Sequence, residues 1–329
     1  MKTIAGILLS LILALAACGS SEEAPRWVDE DVTFTADGLT IHGTYRHERD
    51  GKPGPAALLI SESGNTDRNG DNAVAGPVGN MRQLAELLSD KGVASLRYDK
   101  VGTGKTGLGP YAQRPMDVVS SVYTSGAKAA ARFLADQPAT EADRISVYAV
   151  GEGAVHALAL ATDTGADAPK IHSLGLFQPL PGRYLDIITN RVRASASPEA
   201  LNTWLAAVEQ VRTKGTVAEN LPEGLGALLN QGNVKAVIEA DKIDPLTLAA
   251  KVPAGTPVLL TCSDADAQAT CTSVKPLVDA LQHTALTVVE LQGVNHVLRD
   301  DPTDNVANYA KQDPLSPQLV SAIDAFVGK

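Results

Sequence analysis

The chain has 329 residues, 44% of them hydrophobic and 20% charged, with 28 basic side chains against 38 acidic ones and a net charge of −10. A disordered chain would carry fewer apolar residues and more net charge, so the composition is that of a folded globular protein. No run of Lys or Arg stands out, which argues against a nucleic-acid-binding surface and against attraction to anionic lipid headgroups.

Met1-Lys2 gives a short positive start, and residues 4–17 are almost wholly apolar. That run is shorter than the about 20 residues needed to span a bilayer, and it suits the core of an export signal. It ends in Leu15-Ala16-Ala17-Cys18, followed by Gly19-Ser20-Ser21-Glu22-Glu23, and resembles the bacterial lipoprotein box. The resemblance implies a signal peptide over 1–17, a lipid on Cys18, a tether over 18–28 and an extracytoplasmic place on the cell envelope, with the membrane as partner through that lipid. Export would put Cys262 and Cys271 in an oxidising compartment, where they are candidates for a disulfide; the other reading is two buried thiols. No Cys-x-x-Cys pair occurs, and neither a metal nor a cofactor is expected.

Val32-Thr33-Phe34-Thr35 and Leu39-Thr40-Ile41-His42-Gly43-Thr44-Tyr45 alternate in the manner of strands around Asp37-Gly38, which predicts a tight hairpin. Ala56-Ala57-Leu58-Leu59-Ile60 reads as a buried parallel strand. A polar loop over 61–72, a helix over 81–88 and a strand over 93–98 follow. Further along, a helix over 118–134, a strand over 145–150, an apolar helix over 154–161 and a strand over 171–177 continue the alternation. From about 182 to 250 only helical spacing is found. Strand rhythm returns at 257–261, then come a helix over 274–281, a strand over 285–291 and a last helix over 317–327. This alternation predicts an α/β fold, a mostly parallel sheet with helices on both faces and one helical insertion, over residues 29–329.

In open α/β sheets chemistry gathers where loops leave the carboxyl ends of strands. Those loops hold Ser63-Gly64-Asn65-Thr66-Asp67-Arg68-Asn69-Gly70, then Asp99-Lys100 with Gly102-Thr103-Gly104-Lys105, then Gly151-Glu152-Gly153, then Asp264 and Asp266, and finally Gly293-Val294-Asn295-His296. An acid after a late strand and a His after the last one is the order of the α/β-hydrolase triad. On these segments the chain resembles the α/β-hydrolase family, in its bacterial esterase and acyl-hydrolase branch near the serine aminopeptidases and dienelactone hydrolases. The resemblance implies an α/β-hydrolase fold with a helical cap, an acid at Asp266 with Asp264 as competitor, a base at His296, and an oxyanion loop at Glu62 and Ser63 whose backbone N–H groups face the developing negative oxygen.

At the elbow the family pattern Gly-x-Ser-x-Gly is placed on Gly151-Glu152-Gly153-Ala154-Val155, so the nucleophile position is Gly153, which has no side chain. Acyl transfer by this route needs a nucleophile for the His to deprotonate. The expectation is an esterase-like protein with weak or no hydrolase activity that binds a small or lipid-like ligand under the cap. Two other readings are an active hydrolase using Glu152 or Ser63 with His296 and Asp266, and a non-enzymatic envelope scaffold. Lys105-Thr106 after Gly104 lacks the spacing of a nucleotide loop. His156 is expected to be a packed core side chain, and Trp27 and Trp204 form no stacking array.

Overall fold

The computed structural model describes residues 25–218, 221–222 and 224–328. The expected signal peptide and Cys18 lie outside the described residues, as does most of the tether. Its last two residues, Trp27 and Val28, already belong to the sheet, where they pair with Glu48 and His47; the tether over 18–28 is therefore too long by two.

Eight strands form one sheet among the described residues. They are β1 (Trp27–Ala36), β2 (Leu39–Glu48), β3 (Gly54–Ile60), β4 (Ala94–Tyr98), β5 (Thr140–Val150), β6 (Ile171–Phe177), β7 (Pro257–Ser263) and β8 (Ala285–Leu291), in the spatial order β1-β2-β4-β3-β5-β6-β7-β8. β2 runs antiparallel to both β1 and β4, and the remaining pairs are parallel. The hairpin turns at Asp37-Gly38, both in the left-handed region that such a two-residue turn requires.

Parallel strands need crossovers, and helices provide them. α1 (Asn80–Asp90), α2 (Ser120–Ala135) and α3 (Gly153–Ala161) connect the first half of the sheet; α9 (Cys271–Ala280), α10 (Val306–Tyr309) and α11 (Pro317–Phe326) follow β7 and β8. Successive strand residues point to opposite faces, so the apolar runs serve two cores. Leu58, Ile60, Val147 and Ala149 pack with Ala130 and Leu134 of α2, Leu158 of α3 and Leu277 of α9. Ala57, Leu59, Tyr148 and Val150 pack on the other side with Leu84 and Leu88 of α1 and Ile323 and Phe326 of α11.

The insertion is a small helical cap: α4 (Tyr184–Ser195), α5 (Pro198–Lys214), α6 (Leu225–Leu228), α7 (Val234–Lys242) and α8 (Pro245–Ala249). It has its own core around Trp204, fully buried, whose indole N–H donates to Thr189 Oγ1 at 2.8 Å. Asp241, also buried, accepts from Arg183, Arg212 and the Leu185 N–H, tying α4, α5 and α7 together. Among the described residues no helix is long and apolar enough to cross a membrane.

Candidate active site

The sheet order turns at β3, which has β4 on one side and β5 on the other. Such a switch opens a crevice at the carboxyl ends of the strands. Glu62 leaves β3 at that edge, and Gly151 leaves β5 beside it.

The turn after β5 corrects the expected nucleophile position. Gly151 follows the last strand residue directly and has φ +53°, while Gly153 is already the first residue of α3. The tip of the strand-to-helix turn is therefore Gly151. Gly153 matters for packing instead, since a Cβ there would lie 2.7 Å from the Ile60 carbonyl oxygen and 2.9 Å from that of Ser61. Its bareness lets α3 pass close to β3. The elbow pattern thus falls on Ala149-Val150-Gly151-Glu152-Gly153, and the position that would carry a serine is Gly151.

The space over Gly151 is filled from elsewhere. An ideal Cβ on Gly151 would sit 1.4 Å from Glu62 Oε2. That oxygen is 2.8 Å from His296 Nε2, and the Nδ1 of the same ring is 2.7 Å from Asp266 Oδ2. The other carboxylate oxygen, Glu62 Oε1, accepts from the Ser63 N–H at 2.6 Å and the Glu152 N–H at 3.2 Å. These donors come from the β3 loop and from the residue after the turn tip, the two positions that build an oxyanion hole in this architecture. One carboxylate therefore lies both where a nucleophile would meet the His and where a reacting oxygen would be held.

Both partners of the His296 ring are carboxylates, which only accept hydrogen bonds when ionised, so both ring nitrogens carry protons. Burial alone would push the His296 pKa down, but the Glu62 and Asp266 carboxylates outweigh it and hold the ring well above its usual 6.5. Burial would likewise raise the Glu62 carboxyl, but the imidazolium and the two backbone donors bring it from the ordinary 4.5 to about 2. A protonated His is a poor proton acceptor, so the ring in this arrangement is an ion-pair member and not a free base.

The signs of these shifts set a pH dependence. The Glu62 contribution to stability is complete above its unfolded pKa and is lost as pH falls from about 4.5 towards about 2. The His296 contribution is complete below 6.5 and is lost as pH rises through its raised folded pKa. Urea midpoints of the wild type should fall more steeply between pH 5 and 2 than those of Glu62→Gln; parallel curves would show that the Glu62 pair is not the source.

The other expected site residues sit as follows. Asp266 is fully buried, while Asp264 Oδ1 accepts the Gly293 N–H at 2.6 Å and makes no bond to the ring. Ser63 contributes its backbone N–H, and its exposed side chain makes no hydrogen bond to His296. The Glu152 carboxyl makes no hydrogen bond to His296 either; it lines a separate chamber of about 100 Å³ with Lys100, Tyr123 and His156. Burial raises the Glu152 carboxyl, and Lys100 partly offsets this. His156 is buried, pairs through Nδ1 with Thr124 Oγ1 at 3.0 Å, and is pushed down to about 3 by burial and by Lys100. Cys262 and Cys271 are joined by a disulfide, which spans the loop that carries Asp266.

Three contributions were missed in the sequence: the side chain of Glu62, the turn tip at Gly151, and Lys100, whose ammonium donates to the Glu62 carbonyl. One signal was available. A charged residue stood in a loop expected to give only backbone donors, in the same chain that lacked a hydroxyl at the elbow.

Over Glu62 and His296 opens a cleft of about 570 Å³, walled by the loop after β3 and by Val297, Val306 and Tyr309. Among the described residues no cluster of His, Cys, Asp and Glu could hold a metal ion.

No protein-family model matches the sequence, and comparison with curated proteins gives no match. Solved structures do resemble it. An esterase from Pyrococcus furiosus superposes with a TM-score of 0.55 at 17% identity, over 92% of each chain. Est1E from Butyrivibrio proteoclasticus, solved with ferulic acid bound, gives 0.56 at 16% identity over 85% of this chain and 96% of its own. A dienelactone hydrolase from Anabaena variabilis gives 0.53 at 12% identity over 92% of this chain and 99% of its own. At such identities the likeness is one of fold: the chain has the α/β-hydrolase fold, with esterases and hydrolases as structural neighbours.

Proposed function

We propose that this chain is a lipid-anchored α/β-hydrolase-fold protein of the cell envelope that binds a small or lipid-like ligand and carries out no serine-type ester hydrolysis. The observation that supports this most is the Glu62 carboxylate, which takes the place of the missing nucleophile at Gly151 and fills the oxyanion hole with its own Oε1. A substrate carbonyl would have to displace it from His296 and from two backbone donors at once. The open cleft of about 570 Å³ favours ligand binding over a closed scaffold. Anchoring rests on Leu15-Ala16-Ala17-Cys18 and the short apolar run before it.

One preparation tests both parts. Membranes from cells expressing the full chain should hold it, unlabelled by a fluorophosphonate probe and without ester turnover above background, and Cys18→Ser should move it to the soluble fraction. Probe labelling abolished by His296→Ala would show a working serine-type site. Unchanged membrane association of Cys18→Ser would remove the lipid anchor.

A further inference from the structure

We propose that Glu62 is itself a nucleophile: its Oε2 opens small apolar epoxides that enter the cleft, and His296 with Asp266 then drives hydrolysis of the ester formed on Glu62. This goes beyond the ligand-binding reading above, since it gives the same cleft a reaction.

Position is the first argument. A Cβ on Gly151 would lie 1.4 Å from Glu62 Oε2, one carbon–oxygen bond length, so that oxygen stands at the distance a serine hydroxyl would take from the turn tip. It meets His296 Nε2 at 2.8 Å, as that hydroxyl would, and a carboxylate can serve as the nucleophile of covalent catalysis. The second argument is how the carboxylate uses its acceptor sites. An ionised carboxylate offers about four. Oε1 spends two on the Ser63 and Glu152 N–H groups, and Oε2 spends one on His296. Among the described residues the remaining site, on Oε2, is left open, and the Glu62 side chain is 23% exposed and lines the cleft. Lys100 donates to the Glu62 carbonyl and so holds the main chain of that residue while its side chain reacts. The walls beyond it, Val74, Val78, Val297, Val306 and Tyr309, suit a small apolar body.

The protonated ring selects the electrophile. Opening an epoxide produces an alkoxide that needs a proton, and the His296 Nε2–H lies beside the attacking oxygen. A halide would leave without a proton and strand the ring in its charged form. In the first step Oε2 bonds to one carbon of the epoxide, the bond from that carbon to the epoxide oxygen breaks, and the alkoxide takes the Nε2 proton. Glu62 is now a neutral ester, so the carboxylate that raised the ring is gone and His296 can accept a proton. In the second step the ring takes a proton from water, whose oxygen bonds to Glu62 Cδ. The negative charge that develops on Oε1 falls between the Ser63 and Glu152 N–H groups. Collapse breaks the Cδ–Oε2 bond, the departing alkoxide takes the proton back from the ring, and the Glu62 acid returns its own proton to His296. One epoxide and one water give one vicinal diol, and nothing is oxidised or reduced.

The fate of oxygen tests this without a variant, because Oε2 leaves in the diol and the water oxygen stays in Glu62. A single turnover of the full chain, in excess over styrene oxide, in water enriched in the heavy oxygen isotope should label the peptide that carries Glu62 and leave the diol unlabelled by mass spectrometry. Glu62→Gln, which keeps the shape of the side chain, should lower diol formation from styrene oxide and cyclohexene oxide by at least about 10³-fold. Label in the diol and none in Glu62 would mean that water opens the epoxide directly and would overturn the covalent step, as would undiminished turnover by Glu62→Gln. No diol from either epoxide, with styrene glycol still bound in a calorimetric titration, would overturn the reaction and leave the ligand-binding reading standing. Neither diol nor glycol binding would count against both.

Discussion

Glu62→Gly combined with Gly151→Ser should turn the chain into an esterase, with ester turnover at least on the order of 10³-fold above the wild type, because a triad serine is worth far more than that to enzymes of this kind. The double change does two things at once. It places a hydroxyl at the turn tip, on a Cβ 1.4 Å from where Glu62 Oε2 now stands 2.8 Å from His296 Nε2, and it empties the hole formed by the Ser63 and Glu152 N–H groups. It also removes the carboxylate that keeps the ring protonated, so His296 can act as a base towards the new hydroxyl while Asp266 still orients it. Gly151→Ser alone should fall short of the double variant by about 10²-fold, since its Cβ lies 1.4 Å from the present Glu62 Oε2 and the displaced carboxylate would still contest the oxyanion hole. Glu62→Gly alone should free the hole and leave nothing to attack. Gly153→Ser should damage the fold, because its Cβ meets backbone oxygens of Ile60 and Ser61 and not a movable side chain. The measurement is fluorophosphonate labelling and p-nitrophenyl ester turnover of variants shown by circular dichroism to be folded. A silent, folded double variant would refute the role given to Glu62, and equal activity of Gly151→Ser and the double variant would show that Glu62 blocks nothing.

The sheet, its layers and the cap were legible because burial imposes periodicity, and periodicity is written in single residues. The run Ala57-Leu58-Leu59-Ile60 is apolar at every position because both of its faces are covered, and the Asp37-Gly38 turn follows from its φ requirement. His296 and Asp266 could be picked out because chain order places them at the carboxyl ends of successive strands, and their meeting at 2.7 Å needs only that placement. One reading, the turn tip at Gly153, failed, and one contribution, the Glu62 carboxylate, went unread, because periodicity bears on neither. The register of a tight turn is decided by which residue takes a positive φ directly after the strand, and three residues, Gly151-Glu152-Gly153, offer two glycines for that role. The direction of a side chain in an irregular loop is not periodic at all. Glu62 was therefore visible as a donor position, whereas the turning of its carboxylate back over Gly151 depends on the Lys100 contact to its carbonyl and on the room left by a missing side chain. The two departures from the expected site, an acid in the oxyanion loop and a bare turn tip, explain each other only once the loop is folded.

Besides the Glu62–His296 contact, that loop is held by a second buried ion pair, and breaking it should cost about 3–5 kcal/mol. Asp99, 2% exposed, follows β4 and faces Arg68, 7% exposed, in the segment after β3. The guanidinium donates to Asp99 Oδ2 at 2.9 Å, and the Arg68 N–H donates to Oδ1 at 3.0 Å. The Lys105 N–H adds a third bond to Oδ2 at 2.8 Å, while the second guanidinium nitrogen reaches the Gly43 carbonyl, Thr44 Oγ1 and Asp31. Two of the segments on which the family resemblance rests are thus fastened to each other and to β2. Burial would raise the Asp99 carboxyl, but these donors hold it below the ordinary carboxylate range, so the pair remains charged at neutral pH. Asp99→Ala leaves the Arg68 cation buried with only the exposed Asp31 as an ionic partner, and that uncompensated charge is the main expense. Arg68→Met with Asp99→Leu removes both charges, so the double variant should be less destabilised than the sum of the single ones, with a coupling of about 0.5–3 kcal/mol in a double-mutant cycle by urea unfolding. The same single variant should loosen the loop that carries Glu62 and Ser63, read as faster amide exchange across 61–70 at a denaturant concentration where the fold persists. Additive effects in the cycle, or unchanged exchange in that segment, would mean that the loop is held by its own local bonds and that the Asp99–Arg68 pair serves only the sheet beneath it.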